Sequence, residues 1–286
     1  MAHLNSIPQM LLPVMLTLTR GNPPVKQTFT LAETFDDVIL DVANIKEYSA
    51  FCGFAQTDSI PATWFYLLAQ RAQIALILHR KFPLAAPGLV HLTNSLEILA
   101  QPRLDKPVTI TSSVVIEGKE RGSLFPTFTV DILQEGRTIA HCTSGYIAKR
   151  SGGSSEKSSQ SSERASQAVP DFSAAKSAGT LTMPDAIGWE YAKVSGDYNP
   201  IHIAGVMARA FGLPGKLAHG WYSVSMFVSA LERIKNSAVT KVDVQFQKPI
   251  LLPATVALEY LDEGVTTLFR MTSEDKRTVH LMGKAQ

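Results

Sequence analysis

Between Pro61 and Phe82 apolar side chains recur at three- and four-residue steps: Trp64, Leu67, Leu68, Ala72, Ala75 and Leu76. That spacing predicts a helix, and the apolar residues lying between those positions predict one buried nearly all round. The pattern then changes period. Leu89–Leu99, Val108–Ile116, Leu124–Leu133 and Thr138–Ala148 are rich in Val, Ile, Thr and Phe and are separated by Pro, Gly or charged residues, which predicts four strands. The same order returns further on. An apolar helix from Trp221 to Ile234 precedes strands near Val242–Gln247, Thr255–Leu261, Thr266–Thr272 and Thr278–Gly283.

Between the two halves, from Lys149 to Pro170, a Ser- and Gly-rich run has no apolar periodicity and cannot offset the entropy cost of ordering. It predicts a flexible linker over 149–170, dividing the chain into units 1–148 and 171–286. Local echoes support a repeat. Gln101-Pro102 and Pro107-Val108 answer Lys248-Pro249 and Pro253-Ala254, while Arg137-Thr138-Ile139-Ala140-His141 answers Arg277-Thr278-Val279-His280. The prediction is an α+β unit used twice, each a twisted antiparallel sheet wrapped around one long apolar helix.

Composition narrows the function classes. With 286 residues, 45% hydrophobic and 18% charged, the chain can bury a sizeable core. A net charge of +2 without long Lys/Arg runs argues against a nucleic-acid partner. The two cysteines, Cys52 and Cys142, have no metal-ligand spacing, so a reducing compartment is expected. Met10 to Leu16 is apolar, but Pro8 and Pro13 flank and interrupt it and no Lys or Arg precedes it, which argues against an export signal. No run reaches the about 18 consecutive apolar residues of a membrane span. A cytoplasmic protein is the expectation.

The densest chemistry lies in Ser195-Gly196-Asp197-Tyr198-Asn199-Pro200-Ile201-His202. Asn199 is a good N-cap and Pro200 a favoured first helical residue, so a helix is predicted to begin near Pro200. His202 then falls in its first turn. Asp197 lies just ahead of the cap, where free amides and the positive helix end favour an ionised carboxylate. Across such a turn the two side chains can converge on one water, the arrangement that hydration of a double bond requires. Downstream, in Leu217-Ala218-His219-Gly220, Gly220 directly precedes the second apolar helix. Its small size lets a substrate approach the backbone, and its free N–H can hold a thioester oxygen as negative charge develops there. His219 is read as the neighbour of that donor.

Gly196 to His202 followed by Leu217 to Gly220 resembles the signature of MaoC-like, (R)-specific enoyl-CoA hydratases, and the chain as a whole is similar to double hot-dog 3-hydroxyacyl-thioester dehydratases. The resemblance is strongest from about Trp189 to Pro253. It implies a hot-dog fold, a water added syn across the 2,3 double bond by the pair at Asp197 and His202, and a carbonyl held by the Gly220 amide. Many single-domain members continue after the His with an acidic residue and proline; here Ile203-Ala204-Gly205 follows, so one acidic neighbour is missing.

Around that core Asn199 is expected to hold the turn at the substrate site. Lys216, Arg209 and Lys248 are candidates for the phosphates of CoA or the acidic face of an acyl carrier protein. Two ligands with no third nearby make an incomplete metal shell, so neither metal nor redox cofactor is expected. The half without the motif is expected to house the acyl tail. The alternatives are a hot-dog acyl-CoA thioesterase and a noncatalytic acyl-binding subunit. A homodimer is left open, as are chain length and the choice of CoA or carrier protein.

Overall fold

The structure, a computed structural model, describes residues 4, 13–14, 16–20, 22–55, 59–119, 122–148 and 170–286. The Ser-rich linker expected over 149–170 therefore lies, apart from Pro170, outside the described residues, as does most of the apolar stretch at 10–16.

The first half runs β1 (Phe29–Val38), α1 (Val42–Cys52), α2 (Ala62–Leu78), β2 (Leu89–Ile98), β3 (Val108–Ile116), β4 (Thr127–Gln134) and β5 (Arg137–Ala148). The second repeats this plan with β6 (Lys176–Met183), α3 (Ile187–Ser195), two short helices α4 (Pro200–Ile203) and α5 (Gly205–Ala210), then α6 (Gly220–Lys235). Strands β7 (Lys241–Phe246), β8 (Ala254–Glu263), β9 (Thr266–Ser273) and β10 (Val279–Ala285) complete it. All strand pairs are antiparallel, in the order β1-β3-β4-β5-β2-β7-β10-β9-β8-β6. The two sheets expected from the repeat are thus joined edge to edge through β2 and β7, with Ser95 opposite Asp243 and Leu96 opposite Val242. This is a double hot-dog fold.

The two apolar helices sit inside the curl. In α2 every residue from Ala62 to Ala69 is buried, and in α6 Trp221 to Ser225 and Phe227 to Leu231 are buried. One apolar cluster runs through both halves and includes Phe65, Leu68, Leu96, Phe227, Val244 and Phe269. Each such side chain removed from water contributes roughly 1.5–3 kcal/mol, which ties the halves into one core. Directed contacts add to this: the Trp221 indole donates to the Thr63 carbonyl at 2.8 Å, and the Tyr66 and Trp221 rings stack at 4.1 Å.

Several boundaries differ from the sequence reading by a residue or more. The first helix ends at Leu78 rather than Phe82, and the strand expected from Leu124 begins at Thr127, since Pro126 has no N–H to give a ladder. The second helix starts one residue early, at Gly220. Strands β1 and β6, the two ends of the sheet, were not anticipated. Among the described residues no helix is long and apolar enough to cross a membrane. Cys52 and Cys142 are both free and buried.

Candidate active site

Helix α3 brings the chain to the site and must stop abruptly. Gly196 caps it in the left-handed region at φ +78°, with its N–H on the Ala192 carbonyl. The Ser195 hydroxyl then receives the Asp197 amide at 3.1 Å. Asn199 caps the next turn as expected, its side-chain oxygen accepting the Ile201 amide at 3.3 Å, and α4 begins at Pro200. That helix is a single turn, broken at Ala204, whose backbone is extended. A close fit fixes its position: a Cβ on Gly188 of α3 would lie 2.0 Å from the His202 carbonyl oxygen.

Asp197 and His202 converge as the spacing suggested, and His219 joins them: ligating atoms of all three lie within 4.8 Å of one another. The His202 Nδ1 donates to the Leu217 carbonyl at 2.8 Å, so Nδ1 carries the ring proton and Nε2 is left with its lone pair. His219, read from sequence as a bystander, donates from Nε2 to the main-chain carbonyl of Asp197 at 2.9 Å. Its ring lies 3.9 Å from that of His202, and its Nδ1 is buried with no partner among the described residues.

The carboxylate of Asp197 is held at both oxygens. Oδ1 accepts the Asn199 amide at 3.1 Å and Oδ2 accepts the side-chain amide of Gln70 at 2.8 Å. Gln70 belongs to α2, in the half without the motif, and no local pattern singled it out. Burial pushes the Asp197 carboxyl up, but His219, His202 and these hydrogen bonds outweigh it and hold it below its ordinary value. Burial pushes His202 below the usual imidazole range against the pull of Asp197, and pushes His219 down to about 3 with help from His202. At neutral pH the site therefore holds an ionised carboxylate beside two neutral imidazoles.

Gly220 is the first residue of α6, so its N–H is among the amides without an intrahelical acceptor. Its missing Cβ is needed, since one would lie 2.8 Å from Cε1 of Phe246. The remaining candidates are placed differently. The Lys216 ammonium is engaged by Asp185, at 2.8 Å to its carbonyl oxygen and in an ion pair with its carboxylate. Arg209 and Lys248 are exposed, and a Cβ on Gly205 would find both an Arg209 nitrogen and Lys216 within 4 Å. With His219 the site has the third ligand type that the sequence reading lacked for a cation, although its Nε2 proton is already given to a carbonyl.

Residues 169–284 match the family model described as MaoC like domain. The match spans nearly all of the C-terminal half. Across both halves, the chain is 28% identical over 239 residues to 3-hydroxyacyl-thioester dehydratase X of Mycobacterium tuberculosis, covering 81% of this chain and 80% of the relative. The crystal structure of HtdX from M. tuberculosis superposes with a TM-score of 0.72 at 23% identity, over 89% of this chain and 99% of that one. A second M. tuberculosis protein, whose structure is described as a double hotdog fold, matches with a TM-score of 0.59 at 10% identity, over 93% and 98% of the two chains. The MaoC-like signature thus sits in a chain whose two halves together share the architecture of these proteins.

Proposed function

We propose that the protein is a hydro-lyase that interconverts trans-2-enoyl thioesters and (R)-3-hydroxyacyl thioesters. The observation that carries the reading is the clustering of an ionised Asp197 with a neutral His202, whose Nε2 keeps its lone pair, and with His219, the residue directly before the first amide of α6. A water accepted between the carboxylate and Nε2 is polarised for attack on C3 of the enoyl group. As the C3–O bond forms, the double-bond electrons move toward C2 and the thioester oxygen, where the Gly220 N–H stabilises the developing charge. The pair takes a proton from the water and a proton is delivered to C2, so the sum is addition of one water. Dehydration is the same path reversed. The (R) configuration is what the resemblance carried by residues 196–202 implies.

The thioester is carried by CoA or an acyl carrier protein. The test is incubation with crotonyl-CoA. Loss of enoyl absorbance without free thiol, and a product of (R) configuration, is the expected result. Thiol release would make the protein a thioesterase and overturn the proposal.

A further inference from the structure

The active-site loop faces the N-terminal half across a gap. A cleft of about 230 Å³ lies between it and the N-terminal half, lined by Trp64, Leu67 and Arg71 of α2 and by Val194, Ser195 and Tyr198 of the loop and its approach. Two hydrogen bonds cross between the halves here. Within the lining the Asn44 side chain, itself fixed by the Trp64 indole at 2.9 Å, donates to the Val194 carbonyl at 2.8 Å. Further along α2, Gln70 donates to Asp197 Oδ2 at 2.8 Å. A directed hydrogen bond to a charged acceptor adds geometric definition to the side chain it holds.

We infer that Gln70, in the half without a signature, is a positioning residue for the catalytic carboxylate. Its amide fixes the rotation of the Asp197 side chain. With Oδ2 held by Gln70 and Oδ1 by the Asn199 amide, the carboxylate plane is fixed and each oxygen keeps one lone pair with which to hold the water against His202. The half that lacks the motif therefore completes the site as well as packing against it. This rests on the reading that Asp197 acts on the water.

The other groups facing Asp197 do not replace Gln70. His202 and His219 are neutral at neutral pH, and Tyr66, Tyr146 and Tyr191 are phenols that burial pushes further up. Gln70 supplies the one side-chain amide donated to the carboxylate among the hydrogen bonds of the described residues.

The experiment compares Gln70→Leu, Gln70→Glu and Asp197→Asn in the full chain, following crotonyl-CoA hydration across pH and the thermal midpoint. Gln70→Leu is expected to lower kcat about ten- to hundredfold with KM little changed, the loss of one hydrogen bond to a charged group. The acid limb of its pH profile moves to higher pH, because the ionised carboxylate has lost a donor. Gln70→Glu confines activity to lower pH than the parent, where the new carboxyl carries a proton and can donate; above that, two like charges meet. A role in packing alone would lower the thermal midpoint and leave kcat and the acid limb of the folded enzyme where they were. That outcome, with Asp197→Asn inactive, overturns the inference and spares the reading beneath it. An active Asp197→Asn overturns the reading itself.

Discussion

Substitution Gly188→Ala sets two effects of opposite sign against each other. An alanine in a helix is favoured over glycine by at most about 1 kcal/mol, so propensity alone makes the change stabilising. The added Cβ, however, would stand 2.0 Å from the His202 carbonyl oxygen and 2.9 Å from its carbonyl carbon, both backbone atoms of α4. Ordinary carbon–oxygen contacts are about 3.3 Å or longer, so the turn must retreat by roughly 1 Å. Overpacking of this kind costs about 1–3 kcal/mol, which outweighs the propensity gain and lowers the thermal midpoint by a few degrees. The larger effect falls on the rate. His202 rides on the displaced turn, and a misplacement of about 1 Å can lower turnover roughly a hundredfold. Hydration of crotonyl-CoA and a thermal melt of the same preparation read the two effects separately. A variant that is both more stable and fully active would show that helix α3 does not position His202.

Gly220→Ala should be gentler on stability, because the Cβ meets Cε1 of the Phe246 ring at 2.8 Å and a ring can swing where backbone cannot. Turnover is expected to fall about tenfold or more as the amide is crowded, with partial recovery when Phe246→Ala is added; strictly additive losses would contradict this. Folding stability should depend on pH through the buried imidazoles. His202 is lowered and His219 is lowered to about 3, so below about 6.5 the unfolded chain takes up protons that the folded one refuses. Stability from these groups is complete above that pH and is lost as pH falls toward their folded values. A thermal midpoint unchanged between neutral and mildly acid pH would refute the assignment of both rings as buried and neutral.

The parts of the molecule legible in sequence are those whose cause is local. Helix α2 announces itself because a segment apolar on all sides has to be buried, and the repeat of helix then meander is visible in both halves. Strands β1 and β6 were not visible because they are the free ends of the sheet, where one face and one edge meet water. Phe29–Val38 carries three acidic residues, and Lys176–Met183 has few apolar ones. Asp197 and His202 were legible because Asn199 and Pro200 write the turn between them. Gln70 was not, since its partner lies 127 positions away and nothing near it in the chain betrays the contact. His219 was seen only as the residue before Gly220, although folding lays its ring against His202. Lys216, a candidate for phosphates in the sequence, is brought by the fold against Asp185, 31 positions upstream.

The central claim is that Asp197 and His202 together activate the water, and the most direct measurement is the hydration rate of Asp197→Asn and His202→Ala beside the parent chain on crotonyl-CoA. Both changes keep the turn that Asn199 and Pro200 build, so thermal midpoints near that of the parent would certify the fold. The expected result is a loss of about a hundredfold or more in kcat for each single variant, and a double variant little worse than either, as for residues acting as one unit. Hydration at the parental rate in either single variant would contradict the account.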